Sequence, residues 1–243
     1  MAPERIRYGD DASQWADLYR PDGASRGVVV VVHGGFWRAR YDLDYGRPLA
    51  VDLAAHGFAA WNIEYRRVGN GGGWPTTCDD VAAGIDRLAD VPGLDLSGPV
   101  VTLGHSAGGH LATWAASRGR SDRWWPVRVP VTAVVSQAGV LDLRRAHAER
   151  QGDGAVQGFL GEPPGPDHAA ADPQQQLPLD VPVFCVHGRG DDVVPLHFSE
   201  AYVAAARAAG APAQLHVVDG DHFTVIDTAS PAWAWTVEQL VSL

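Results

Sequence analysis

Lysine is missing from this chain altogether, so all 19 basic residues are arginine. The absence removes one class of chemistry, because no lysine is available as a Schiff-base former or catalytic base. Cysteine occurs twice, at Cys78 and Cys185. Two cysteines so far apart, neither in a metal-type spacing, provide no disulfide framework and no zinc site. Cys185 falls inside an apolar run and is expected to be a buried, inert thiol. No His/Cys/Asp cluster has the spacing of a metal site either. Basic residues are outnumbered by 29 acidic ones, for a net charge of -10, which leaves no basic face for nucleic acid. No apolar run approaches the length needed to cross a bilayer. The first ten residues carry charges and no apolar stretch, which predicts no secretory leader. The expectation is a soluble, cytoplasmic monomer or homodimer whose partner is a small molecule, with neither nucleic acid nor membrane involved.

What is present suits a globular enzyme. The 243 residues are 46% hydrophobic, enough for one domain with a large core. Apolar runs alternate with amphipathic segments in the βαβ manner of a mainly parallel sheet. The unbroken valine run at residues 28–32 predicts a strand buried on both faces. Residues 58–65, 99–103, 131–136, 181–187 and 213–218 read as further strands. Residues 45–55, 78–89, 107–117, 198–209 and 231–241 read as helices. Residues 5–8 and 16–19 suggest an antiparallel entry hairpin. Residues 142–179 break the rhythm, being rich in Pro, Gly, Gln and Asp; such an insertion reads either as a short cap over a site or as a surface excursion.

Four motifs carry chemistry. Gly104-His105-Ser106-Ala107-Gly108 matches G-x-S-x-G between a strand and a helix, the context that pattern requires. A serine in so sharp a turn needs very small neighbours two positions away on either side, and the following helix presents backbone amides to developing negative charge. His33-Gly34-Gly35-Phe36-Trp37 follows the valine strand. Its glycine pair lets amides turn toward the serine, so Gly35, Phe36 and Ala107 are the expected oxyanion donors. In His187-Gly188-Arg189-Gly190-Asp191-Asp192, two aspartates compete for the role of triad acid; loop position favours Asp191. His222, in Gly220-Asp221-His222-Phe223, completes the order Ser, Asp, His and is preferred as base over His187 and His216. His33 is expected to hold its loop rather than act as a base. His33, Gly34 and His105, together with Trp37 and Trp74, are candidate substrate-binding residues, although core packing is the usual fate of tryptophan. The glycine run at 69–73 lacks a following Gly-Lys-Ser/Thr and is not a phosphate loop.

Taken together these motifs resemble the α/β-hydrolase superfamily along essentially the whole chain. The extended loop Gly104-His105-Ser106-Ala107-Gly108-Gly109-His110-Leu111-Ala112 looks like its esterase and arylformamidase branch, as do His33-Gly34-Gly35-Phe36-Trp37 and Asp221-His222-Phe223. Kynurenine formamidase of this fold shows H-G-G-Y-W, G-H-S-A-G and D-H-F; Phe36 departs from its tyrosine. The resemblance implies an eight-stranded, mainly parallel sheet flanked by helices and a triad of Ser106, Asp191 and His222. It further implies a serine hydrolase that cleaves a small ester or aryl/formyl amide without a cofactor. Two rivals stand beside it: an acyltransferase using the same triad, and a non-catalytic binding protein that keeps the fold.

Overall fold

In the computed structural model, which describes residues 2–243, the sheet has eight strands in the order β1-β2-β4-β3-β5-β6-β7-β8. Strands β1 (Glu4–Arg7) and β2 (Trp15–Tyr19) form the antiparallel entry hairpin, and β2 runs antiparallel to β4 (Ala59–Ile63). From β4 onward the pairing is parallel, through β3 (Val28–Val32), β5 (Val100–His105), β6 (Ala133–Gln137), β7 (Val183–Gly188) and β8 (Ala213–Val218).

The valine strand shows why the run is unbroken. Side chains alternate across a strand, and here both faces are covered. Val28, Val30 and Val32 enter the larger core cluster, beneath α2 (Thr76–Asp86) and α3 (Ala107–Ser117). Val29 and Val31 enter the other, beneath α1 (Arg47–Ala55) and the closing α7 (Pro231–Val241). Each fully buried valine contributes about 1.5 to 3 kcal/mol, so this central strand anchors both layers. Cys78 and Cys185 are buried and free. No helix among the described residues is long and apolar enough to cross a membrane.

Residues 142–179 hold two short helices that composition did not reveal, α4 (Leu143–Ala148) and α5 (Ala155–Leu160), followed by two 3-10 turns. Asp142 caps α4 by accepting from the Arg145 amide at 2.9 Å. Val156, Phe159, Leu160 and Ala171 are buried in the larger core cluster. The segment docks on α3, where His110 Nε2 donates to the Ala171 carbonyl (2.8 Å) and Trp114 Nε1 to that of Ala170 (3.0 Å). After β7 come α6 (His197–Ala208) and β8, closing the sheet edge.

His110 joins three parts of the molecule. Its Nδ1 accepts from Trp37 Nε1 at 3.2 Å while Nε2 donates to Ala171, so both ring nitrogens are committed to the neutral form. Burial pushes its pKa down to about 4, against a smaller rise from the Ala171 bond. The unfolded state, with an ordinary histidine near pH 6.5, binds a proton the folded state refuses. Stability is therefore full above about pH 6.5 and falls as pH drops toward 4, by up to about 1.4 kcal/mol per pH unit for this one imidazole. Thermal melts between these pH values should show the slope. A His110→Leu variant should melt lower at pH 8, having lost two bonds, yet depend less on pH; an unchanged slope would contradict the assignment.

Candidate active site

Ser106 stands between β5 and α3, as the helix N-cap, with φ 58° and ψ -120°, in the positive-φ region that non-glycine residues avoid. The flanking glycines permit this because nothing larger fits. A Cβ on Gly104 would lie 2.1 Å from the Gly108 carbonyl oxygen, and one on Gly108 would lie 2.1 Å from that of Val32. The second contact draws the segment after β3 against the elbow. Gly34 sits so close that its Cβ would meet the His105 carbonyl at 2.6 Å and Ser106 Cβ at 3.2 Å. The amides of Gly35, Phe36 and Ala107 find no acceptor within the protein among the described residues.

His222 follows β8 and is buried. Its Nδ1 donates to Asp191 Oδ2 at 2.7 Å. Asp191 Oδ1 accepts from the amides of Val193 (2.9 Å) and Val194 (2.8 Å). Burial pushes this carboxyl's pKa upward, but hydrogen bonds from His187 and His222, the charge of His222 and the Val194 amide together outweigh it. The group is held far below the usual carboxylate range. Its neighbour Asp192 is exposed and makes no such bonds. Of the two adjacent aspartates, Asp191 is thus the one that meets His222.

Ser106 and His222 face one cavity of about 180 Å³, with no direct hydrogen bond between them among the described residues. His105 shares that wall; its Nε2 donates to the His222 carbonyl at 2.9 Å and its ring lies 4.4 Å from the His222 ring. Burial, reinforced by the adjacent His222, pushes the His105 pKa down to about 3, so it remains a neutral brace. His33 lies behind the loop instead of in the cavity. It stacks on Tyr65 at 4.4 Å, donates from Nδ1 to the Gly34 carbonyl (2.8 Å), and turns Nε2 toward Arg67 (3.1 Å) and Glu64 (3.4 Å).

The tryptophans expected to line the pocket lie elsewhere. Phe36 and Trp37 both have φ 55°, which turns Trp37 inward. It is 1% exposed, bonded to His110 and stacked on Phe159 at 4.9 Å. Trp74 packs against Trp124, with its amide held by the Phe159 carbonyl at 2.7 Å. Gly34, Gly35 and Phe36 do line the cavity, and its remaining walls come from Tyr41, Tyr45, Val193 and Phe223. Tyr41 and Tyr45 escaped the sequence reading. Their signal was position alone, directly after the glycine loop. Residues 142–179 contribute none of the cavity lining.

The glycine contacts are open to test. Gly108→Ala forces a methyl group into backbone and should lower stability by about 3 kcal/mol or more, measured by denaturant unfolding. Gly158→Ala, inside α5 with nothing within 4 Å of the new methyl, should raise it by about 0.5 to 1 kcal/mol. Equal effects at the two positions would refute the crowding argument.

Comparison with known proteins adds an independent line. The family model BD-FAE matches residues 16–205, which takes in Ser106 and Asp191 and stops short of His222. A probable isoprenylcysteine alpha-carbonyl methylesterase of Oryza sativa subsp. japonica is 25% identical, over 93% of this chain and 59% of its own length. The esterase LipQ of Mycobacterium tuberculosis is 29% identical, over 79% of this chain and 49% of its own. The chain thus spans about half to three-fifths of the length of these curated relatives. Among solved structures, a truncated carbohydrate esterase from gut microbiota superposes with a TM-score of 0.83 at 21% identity, covering 100% of this chain and 95% of that one. Thermogutta terrifontis esterase 2, phosphonylated by sarin, gives 0.82 at 22% identity, covering 98% and 92%. Likeness of this extent shows the α/β-hydrolase fold. With the family model matching from β2 into α6, the chain belongs to the BD-FAE family.

Proposed function

We propose that this protein hydrolyses small carboxylic esters through an acyl-enzyme on Ser106. The observation that carries the reading is the 2.7 Å bond between His222 and a buried, ionised Asp191, at the wall of the cavity that Ser106 faces. Asp191 fixes the ring with its Nδ1 protonated, leaving Nε2 free to accept a proton. Ser106 Oγ attacks the ester carbonyl and gives its proton to His222. The tetrahedral oxyanion is received by the unpartnered amides of Ala107 and of the Gly35–Phe36 turn. Collapse breaks the bond to the leaving oxygen, which departs as an alcohol with the proton from His222. Water, deprotonated by His222, then attacks the acyl carbon and restores Ser106 as the carboxylic acid leaves. That an esterase of this fold is found phosphonylated by sarin is in keeping with an acyl-enzyme route.

The cavity limits the substrate. At about 180 Å³ it is comparable to an engineered apolar cavity of roughly 150 Å³ that takes benzene. One aromatic ring or a short acyl chain therefore fits. Its walls of Phe36, Tyr41, Tyr45, Val193 and Phe223 carry no formal charge, which favours a neutral group. The formyl amide of an arylformamidase substrate makes the same demands on Ser106 and remains a finer alternative to an ester.

A panel of p-nitrophenyl acetate, p-nitrophenyl octanoate and N-formylkynurenine tests the reading. Turnover of the esters alone would mark a carboxylesterase, rapid turnover of the formyl amide an arylformamidase, and turnover of none would refute the proposal. Ser106→Ala and His222→Ala should each lower kcat by about 10⁴-fold to 10⁶-fold, and Asp191→Asn by about 10⁴-fold. Asp192→Asn should stay within about threefold of the parent, and comparable losses at both aspartates would contradict the assignment of the acid.

A further inference from the structure

Asp191 has a second imidazole. His187, on β7, is fully buried, and its Nε2 lies 3.2 Å from Asp191 Oδ2, the oxygen that also receives His222 Nδ1. The Val194 carbonyl lies 2.8 Å from the same nitrogen. Two acceptors around Nε2 place the proton there, which makes Nδ1 the acceptor for the hydroxyl of Ser199 at 2.8 Å. Ser199 stands in the first turn of α6 and is also fully buried. A chain of contacts therefore runs from Ser199 through His187 to Asp191 and on to His222. It mirrors the Ser106 side, but ends in a hydroxyl that no substrate can reach.

We infer that His187 is a positioning residue for the reaction. Held in one tautomer by Ser199, it donates to Asp191 Oδ2 and thereby sets the direction and basicity of the carboxylate that steers His222. The inference rests on the assignment of Ser106, His222 and Asp191 as nucleophile, base and acid. Bracing the loop would account for the Val194 contact alone. It does not require the same N–H to approach the carboxylate oxygen already engaged by His222.

The consequence is electrostatic. A second N–H on Oδ2 draws negative charge away from the His222 side. Without it the carboxylate's field falls more fully on His222 and favours the imidazolium, so a higher pH is needed to free the base. The other groups facing Asp191 are the amides of Val193 and Val194 from its own loop and His222 from the loop after β8. His105, from the end of β5, lies beyond His222 and is neutral. The carboxylates of Asp192 and Asp221 are exposed to solvent. On the far side, Cys185 lies beside Ser199 and carries no charge, burial having pushed its thiol up to about 12.

The test compares His187→Leu, His187→Gln and Ser199→Ala with the parent enzyme and Ser106→Ala, using p-nitrophenyl acetate from about pH 5 to 9. His187→Leu should lower kcat about tenfold with KM within about twofold. It should also move the acid limb of kcat/KM upward by about half a pH unit or more. His187→Gln, whose amide N–H can reach the same oxygen, should recover most of both. Ser199→Ala, a gentle change in a helix, should move the limb in the same direction by less. A folded His187→Leu with the parent's acid limb would overturn the inference whether or not kcat had fallen, because a loop brace alone would leave the limb in place. Should that variant not fold, Ser199→Ala with an unmoved limb overturns it. Absence both of parent turnover and of Ser106-dependent labelling by a fluorophosphonate would instead sink the parent reading, and this inference with it.

Discussion

The site depends on two glycines that touch. Gly104, next to last in β5, and Gly108, in the first turn of α3, approach until a methyl group on Gly104 would lie 2.1 Å from the Gly108 carbonyl oxygen. This contact closes the turn so tightly that Ser106 is forced to φ 58°, a strain tolerated because strand and helix are both locked into the core. Gly108 in turn packs on Val32, where a methyl group would lie 2.1 Å from the carbonyl oxygen, and this places the glycine loop beside Ser106. Ser106 and the amides of Gly35, Phe36 and Ala107 are thus placed by close glycine packing. β3 and β5 pair in register up to Val32 and Gly104, so the two loops leave the sheet at the same height.

The second half of the site arrives from the β8 edge of the sheet and has a different physical basis. β7 and β8 pair from Val183 and Ala213 to Gly188 and Val218, which delivers the Asp191 and His222 loops side by side. Burying a carboxylate is unfavourable without compensation. Here Asp191 Oδ1 accepts two amides and Oδ2 accepts His222, with His187 Nε2 3.2 Å from Oδ2. The surplus of donors explains why the group stays ionised although burial opposes it. An ionised carboxylate is what fixes the tautomer of His222.

The elements that position the chemistry were legible in the sequence, because each rests on a local rule. Helices 107–117 and 231–241 and the strand 213–218 coincide with the structure. Motif and order singled out Asp191 and His222, and the structure brings these two side chains together. The pocket walls were not legible. The orientation of Trp37 depends on two consecutive positive-φ residues and on Phe159, contributed by a helix far along the chain. With Trp37 turned inward, Tyr41 and Tyr45 became the aromatic wall. The helices within 142–179 were hidden for a related reason. Each has six residues, too few for a periodic signal, and they are held by bonds from His110 and Trp114 to carbonyls on the following turn. Tertiary contacts of that kind leave no local pattern.

Behind the glycine loop that follows β3 lies a polar cluster that hydrophobic packing does not explain. Glu64, 4% exposed, pairs with Arg67, 5% exposed. Its carboxylate also accepts the amides of Leu43 (3.1 Å) and Tyr65 (2.9 Å). The Tyr65 hydroxyl donates to the His33 carbonyl at 2.6 Å. A buried ion pair is weak evidence for stability, since apolar residues of equal volume often do as well. Its directional bonds are another matter. Leu43 lies between Tyr41 and Tyr45, and His33 precedes Gly34 and Gly35, so the cluster grips the loop after β3 at both ends. Removing one partner would strand a charge at about 3 to 5 kcal/mol and release that grip. The buried charges at the end of β4 therefore make sense as the device that holds a glycine-rich loop still beside Ser106.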